Sequence, residues 1–334
     1  MKTSKLFFDL PPHLIAQYPH EQRERARLMV LKDEHALCTT VESLIHFLKR
    51  KTVIVINTSK VRKARIFARH AKTNKKVEFL LLEQETEQTW SVISRKTKSG
   101  ESYVLEGGMS ALYSEGKLHC DLPLTESYIE EHGNIPLPPY IRRKTETADD
   151  TRYQTIYADI LGSAAAPTAG LHITDSLLTQ CTMKEITIAP IILHTGLGTF
   201  TPIKTANIDK HPMHTEKYSI SEQTARIINR AKENKNQILA IGTTSLRCIE
   251  SATDSQGNIT PGKADTRLFI TPGYTCKTIT SLFTNFHTPF STLLVLIASL
   301  IGYDQMIGHY KNAVRRGFRF FSYGDAMLID SFMR

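Results

Sequence analysis

Hydrophobic and polar positions alternate with two different periods along this chain. Thr52 to Asn57 (TVIVIN) is a β-branched apolar run that stops at Asn-Thr-Ser, the pattern of a buried strand handing its end to a polar loop. From about Ile66 to Leu122, short apolar runs (VEFLLLE, WSVIS, SYVLEG, ALYSE) are separated by turn-forming Asn-Lys, Ser-Gly and Gly-Gly pairs, which predicts a small β-barrel. Pro-rich IPLPPYIRR (135–143) and the polar TETADDT after it read as a linker returning to the first domain. Beyond it, strand-like EITIAPIIL (185–193) and QILAI (237–241) flank a helical pattern over Ser221 to Asn234. There Ala225, Ile228 and Ala231 share a face, and Ser221 is placed to cap the start. Leu293 to Ile301 is apolar throughout but about half the length of a bilayer span, so it reads as a buried helix. The predicted fold class is α/β, a layered α/β main domain with an inserted small β-barrel domain. Residues 1–61 form the first part of the main domain, 62–143 the barrel, and 144–334 the second part, which carries most of the polar loops.

Composition narrows the class. A chain of 334 residues, 41% apolar, is long enough for two domains with proper cores. The longest early apolar run, Leu6 to Phe8, is far short of a signal-peptide core, and the five cysteines are scattered without a CxxC pair. Free thiols in a reducing cytoplasm, no membrane span and a monomer are the expectations. The formal charge of +9 and pI near 9.2 point to an anionic partner. Between Lys60 and Lys76 no acid interrupts Lys60, Arg62, Lys63, Arg65, Arg69, Lys72, Lys75 and Lys76, a density suited to a phosphate backbone or else to a solvated loop.

Five stretches combine small residues with chemistry-bearing ones, the composition of loops that approach a ligand closely: GSAAAPTAGLH (162–172), LHTGLGTF (193–200), HPMHTE (211–216), IGTTSLR (241–247) and TNFHTPFST (284–292). IGTTSLR ends a strand and opens a helix, so backbone N–H groups at Thr243, Thr244 and Ser245 face outward, where they bind anions. Arg247 then pairs with a carboxylate or phosphate, or ties the loop to Glu250 or another acid. Gly196 and Gly198 let the backbone approach a nucleoside beside His194, unless the segment is a glycine turn with a packed His. His172 ends a tight loop suited to a base. His211, His214 and Glu216 form a candidate acid/base set in which His214 or Glu216 is the first choice for proton abstraction; metal ligation lacks the HExxH spacing and any completing cluster, so no metal is expected. Asn285, Phe286 and His287 precede a helix that starts at Ser291 or Thr292. Phe286 is expected to stack on a base whose edge Asn285 or His287 reads; the alternative is capping and packing. Asp325, in a polar turn, holds a histidine tautomer or binds a ribose hydroxyl, or makes a structural salt bridge.

NTSKVRKAR (57–65), PLPPYI (136–141), YQTIYA (153–158), the five stretches above and FFSYGDAML (320–328) follow one another in the order and spacing of the S-adenosylmethionine:tRNA ribosyltransferase-isomerase family, which this chain resembles from about Phe7 to Ile329. The resemblance implies transfer of the ribosyl group of S-adenosylmethionine to 7-aminomethyl-7-deazaguanine (preQ1) at the wobble position of a tRNA. Rearrangement then gives epoxyqueuosine-tRNA, adenine and methionine. S-adenosylmethionine would be a consumed substrate, with no cofactor, and Lys60, Arg62, Lys63, Arg65, Lys72, Lys75 and Lys76 would be tRNA contacts. The chain departs from the family pattern at Arg62-Lys63, where Ile-Pro is common, at Thr195 for Val and at Thr288 for Leu. SVISRKTKSG (91–100) also lacks a typical Lys-Pro pair. Two other classes stay open on the residues alone: a metal-dependent hydrolase ligated by the loop histidines, and a noncatalytic tRNA-binding module.

Overall fold

In the computed structural model, which describes residues 1–32, 35–196 and 202–332, the chain divides into two compact units. One comprises Met1–Lys60, Pro139–Arg143 and Gln154–Arg334; the other comprises Val61–Pro138 and Lys144–Tyr153. In chain order the strands are β1 Arg27–Lys32, β2 His35–Thr40, β3 Val53–Asn57, β4 Ser59–Val61, β5 Arg65–His70, β6 Lys76–Gln84, β7 Thr89–Ser94, β8 Glu101–Leu105, β9 Ser110–Ser114, β10 Lys117–Cys120, β11 Ile160–Ser163, β12 Thr187–Leu193, β13 Glu216–Ile220, β14 Ile238–Ile241, β15 Gly262–Thr266, β16 Ser281–Asn285 and β17 Ala326–Ile329. The helices are α1 Glu126–His132, α2 Asp149–Arg152, α3 Asp175–Met183, α4 Glu222–Glu233, α5 Thr243–Ala252, α6 Thr292–Ile301 and α7 Tyr303–Arg315.

The larger unit is built on a nine-stranded sheet in the order β15-β13-β12-β3-β14-β16-β17-β1-β2. Side chains alternate between its faces, as a strand requires. Met29, Leu31, Val53 and Val55 pack with α4 to α7 on one side, while Leu28, Val30, Ile54 and Ile56 pack with α3 and the 3₁₀ turn Val41–Phe47 on the other. Both faces are therefore buried, which explains why Val53 to Ile56 are apolar at every position rather than alternating. The α/β class and layered architecture read from the sequence hold. Ser221 caps α4 by accepting from the Thr224 N–H, and Ser291 caps α6 by accepting from Leu294.

Strand direction decides where the loops go. β12, β3, β14 and β16 are mutually parallel, so their C-terminal ends share one edge of the sheet. β13 runs antiparallel to β12, and β17 antiparallel to β16, so the starts of those two strands lie at the same edge. Ligands of open α/β sheets bind at such carboxyl edges. The loops after β12, β14 and β16 and those before β13 and β17 are four of the small-residue stretches together with the Asp325 turn.

The smaller unit is a closed barrel of six strands in the order β10-β7-β6-β5-β8-β9. Its core holds Ile66, Phe79, Trp90, Tyr103 and Leu118, with Ile129 of α1 packed into it. The polar segment 144–153, read from the sequence as belonging to the main domain, clusters with the barrel unit, where Asp150 pairs with Lys63 at 2.9 Å. Among the described residues no single helix is long and apolar enough to cross a membrane. α6 and α7 bend by 117° at Gly302, and α6 is almost wholly buried in the core.

Candidate active site

At the carboxyl edge of the sheet, within the larger unit, lies a cavity of about 440 Å³. It draws on most of the sequence blocks at once: Tyr140, Ala166 to Ala169, Thr195, Gly242 to Thr244, Thr284 to Ser291, and Phe321 with Ser322. Among the described lining residues there is no Asp or Glu. α5 begins at the cavity with Gly242 as its N-cap, at φ +90°, a conformation open to glycine, and no side chain caps it. The first-turn N–H groups of Thr243 and Thr244 therefore give the cavity a positive end, and the start of α6 at Ser291 adds a second.

One wall is aromatic. Tyr140 and Phe321 stack with ring centroids 3.6 Å apart and planes inclined by 12°. Phe321 and Phe290 both line the cavity with left-handed backbones, φ +69° and +62°. Bulky side chains rarely adopt this conformation; it costs about 1–3 kcal/mol and collects at ligand sites. Sequence reading singled out none of Tyr140, Phe290 and Phe321, although each lies inside a block it had noted. Only the fold reveals that 140 and 321 meet.

His172 and Asn285 form a buried pair behind this wall, His172 Nε2 lying 3.1 Å from Asn285 Nδ2. Asn285 Nδ2 also donates to the Phe321 carbonyl at 3.2 Å, and because a carbonyl only accepts, the amide orientation is set. His172 Nε2 must then be the acceptor, so its proton sits on Nδ1. Burial pushes His172 down to about 4, against the pull of Asp325, which keeps the ring neutral. Asn285 Oδ1 and Thr195 Oγ1, both from cavity-lining residues, are buried without partners among the described residues, two acceptors ready for a ligand's donors. His287 lines the same cavity 3.3 Å from Thr284 Oγ1, and burial pushes it down to about 3.

Two expectations are corrected here. Phe286 borders the cavity, yet its ring is fully buried against Tyr310, Phe318 and Phe320, so it packs the core under α7. The Asp325 carboxylate accepts the backbone N–H groups of Arg27 at 3.1 Å and Arg319 at 2.8 Å and pairs with the Arg319 guanidinium at 3.4 Å. It holds the Phe321–Asp325 turn in place and acts on His172 only through its charge.

Leu293 lines this cavity and also a second, smaller one with Gly196, His211, Met213, His214, Glu216 and Arg247. Glu216, first residue of β13, and Arg247, on the second turn of α5, form a buried ion pair there. Arg247 also donates from Nε to the Leu268 carbonyl at 2.9 Å. Glu250, the acid considered for Arg247 on sequence grounds, instead accepts from Tyr274 and from the N–H groups of Lys277, Thr278 and Ile279. His214 is exposed, and His211 is held below its usual value by burial and by the charge of His214. Ser245 turns inward, donating to the Ile241 carbonyl at 2.8 Å.

His194 leaves the group. Its Nδ1 lies 2.8 Å from Ser59 Oγ, its ring packs on Gly162, where a Cβ would come within 2.6 Å, and it faces a separate cavity with Lys217 and Lys263. Gly198 lies outside the described residues. Among the described residues, no three His, Cys, Asp or Glu side chains converge as a metal-ligand group would.

The basic run is divided in use. Arg62 pairs with Glu126, Lys63 with Glu130 and Asp150, and Arg65 with Glu78, all within the barrel unit. Burial lowers Lys63, but hydrogen bonds and charges from Asp150 and Glu130 outweigh that and raise it. Lys76 lies over the Phe67 ring and 3.9 Å from Glu106. Arg62, Lys63 and Arg65 are committed to the barrel's own acids, whereas Lys60, Lys72, Lys75 and Lys76 are exposed. No acid lies within the run itself because these partners come from distant segments.

Residues 3–329 match the family model described as queuosine biosynthesis protein. The S-adenosylmethionine:tRNA ribosyltransferase-isomerase of Clostridioides difficile is 42% identical over 343 residues, covering 98% of this chain and 100% of that one. The protein of the same name from Treponema denticola is 41% identical over 350 residues, with the same coverage. The crystal structure of S-adenosylmethionine tRNA ribosyltransferase from Thermotoga maritima superposes with a TM-score of 0.57 at 31% identity, over 97% of this chain and 99% of that one. With the family pattern matched across the described edge loops and from one end of the fold to the other, the chain belongs to the queuosine biosynthesis protein family.

Proposed function

We propose that the chain transfers the ribosyl group of S-adenosylmethionine to preQ1 at the wobble position of a tRNA and isomerises it. The products are epoxyqueuosine-tRNA, adenine and methionine. Full-length likeness to relatives named S-adenosylmethionine:tRNA ribosyltransferase-isomerase supports this reading. The observation that carries it is the first cavity, where a stacked aromatic wall, two helix starts and two unpartnered acceptors, Asn285 Oδ1 and Thr195 Oγ1, surround a space of nucleoside size. The aromatic wall suits a base, and the acceptors suit its N–H groups or ribose hydroxyls.

A sulfonium acidifies the neighbouring C5′ hydrogens, so the route begins with proton removal, followed by opening of the sugar and departure of adenine. The aminomethyl nitrogen then attacks, and epoxide closure expels methionine. His287 replaces His214 and Glu216 as our choice of proton acceptor. The choice rests on its place in the cavity wall beside Thr284, whereas Glu216 is engaged by Arg247 and His214 is exposed; burial lowers its basicity, so it takes the proton only once substrate is bound beside it. His172 acts through Asn285. The exposed Lys60, Lys72 and Lys75 supply phosphate contacts. S-adenosylmethionine is consumed as a substrate, and the route calls for no metal or redox cofactor. The enzyme would act as a monomer in the cytoplasm, where tRNA is modified.

Adenine release from S-adenosylmethionine in the presence of preQ1-tRNA tests the assignment. His287→Gln should keep tRNA affinity while turnover falls by about 10²–10⁴-fold. Undiminished turnover removes His287 from the chemistry, and no adenine from the folded wild-type protein overturns the proposed activity.

A further inference from the structure

The second cavity contains an expensive arrangement that the proposed chemistry does not use. Arg247 and Glu216 are 4% exposed each, and a charge pair withdrawn from water this far is costly unless its remaining hydrogen-bonding positions are filled. They are not all filled: Arg247 Nη2 is buried and has no hydrogen-bond partner among the described residues, while Nη1 goes to Glu216 and Nε to the Leu268 carbonyl. An orphaned guanidinium nitrogen beside a cavity asks for an oxygen, and the planar fork of arginine fits a carboxylate. The rest of the lining is largely apolar, with Met213, Leu268, Ile270 and Leu293. A cation and an anion held side by side at the end of an apolar slot match the zwitterion of an α-amino acid with an unbranched, uncharged chain.

We infer that this cavity is the subsite for the amino-acid end of S-adenosylmethionine. Arg247 takes the carboxylate, Glu216 faces the ammonium, and Met213, Leu268 and Leu293 enclose the methylene chain. The inference rests on the substrate assigned above. Leu293 lines both cavities, and Thr195 and Gly196 line one each, so the two adjoin; the second is tight, about 20 Å³, and receives the methionyl end only as its walls open, with the nucleoside in the first. Glu216 is thereby a binding residue and not the base.

The test compares S-adenosylmethionine with its decarboxylated analogue on wild-type enzyme, reading adenine release with preQ1-tRNA. Turnover of S-adenosylmethionine itself reports the assigned activity; the ratio of the two kcat/KM values reports the subsite, so the two failures are separable. Loss of one charge-assisted contact predicts a kcat/KM for the analogue about 10- to 100-fold lower, mostly through KM; a ratio near unity overturns the inference. Removing one partner of a buried pair destabilises a fold, whereas replacing both with apolar residues is often neutral, so the informative variant is Arg247→Met with Glu216→Leu. It should process both substrates with similar kcat/KM; a wild-type ratio in that variant is contradictory. L-methionine should inhibit the wild-type enzyme about tenfold more strongly than 3-(methylthio)propylamine. Equal inhibition by the amine also overturns the assignment.

Discussion

Lowering the pH should destabilise the larger unit, by an amount the two buried histidines set. Burial holds His172 at about 4 and His287 at about 3 in the folded protein, against 6.5 when exposed. Between those values the unfolded chain binds protons that the folded one refuses, so stability is full above pH 6.5 and is lost as pH falls toward the folded values. From pH 7.5 to 5.5 each ring costs about 1.4 kcal/mol, and the pair about 2.7 kcal/mol, a large part of a typical stability of about 5–15 kcal/mol. His211 and His309, held down by partial burial, push the same way. The chain supplies its own control. Its single Trp, Trp90, is buried in the barrel, so fluorescence follows that unit, while far-UV circular dichroism follows α3 to α7 of the larger one. Urea unfolding at the two pH values should show the dichroism transition losing the worked free energy, with His287→Gln removing about half of the loss. Dichroism stability that stays constant across this range, or a loss that His287→Gln leaves whole, would refute the burial of these rings as the cause.

Three further outcomes separate packing from ligand contact. Phe286→Ala should cost about 3–5 kcal/mol of stability with KM for S-adenosylmethionine unchanged, measured by urea unfolding and adenine release; a raised KM in a stable variant would restore the base-stacking role. Phe321→Gly relieves a left-handed φ, so its stability loss should fall below that of Phe286→Ala, yet kcat/KM should drop about tenfold as the stacked wall is lost; normal activity would remove the Tyr140–Phe321 pair from the site. Lys72→Glu with Lys75→Glu should weaken tRNA binding and cut the slope of log K against log salt by about 1.4–1.8, whereas Arg62→Gln should leave that slope in place and lower barrel stability; the reverse pattern would relocate the tRNA path.

Local pattern carried much of the architecture. Val53 to Ile56 are apolar at every position because both faces of their sheet are covered, and the barrel's β5 and β6 alternate because only one side faces a core. The caps at Ser221 and Ser291 were readable for the same reason, since a hydroxyl placed before an apolar helical run has one local partner. The small-residue loops were visible as a set, but the direction each side chain takes was not. His194 and Thr195 are neighbours whose side chains face different cavities, a consequence of the pleat at the end of β12. Phe286 reads as a loop aromatic, yet it is claimed by Tyr310, Phe318 and Phe320, which come from another part of the chain. The pairing of Glu216 with Arg247 depends on β13 running antiparallel at the sheet edge, a long-range fact that no spacing in HPMHTE or IGTTSLR encodes.

The most direct test of the central assignment follows the sugar. S-adenosylmethionine labelled with ¹³C in its ribose is incubated with the purified protein and a tRNA bearing preQ1, and the digested nucleosides are read by mass spectrometry with free adenine monitored alongside. Labelled epoxyqueuosine appearing in the tRNA in step with adenine release is the predicted result. Folded protein that binds this tRNA but leaves preQ1 unlabelled, with no adenine formed, would contradict it.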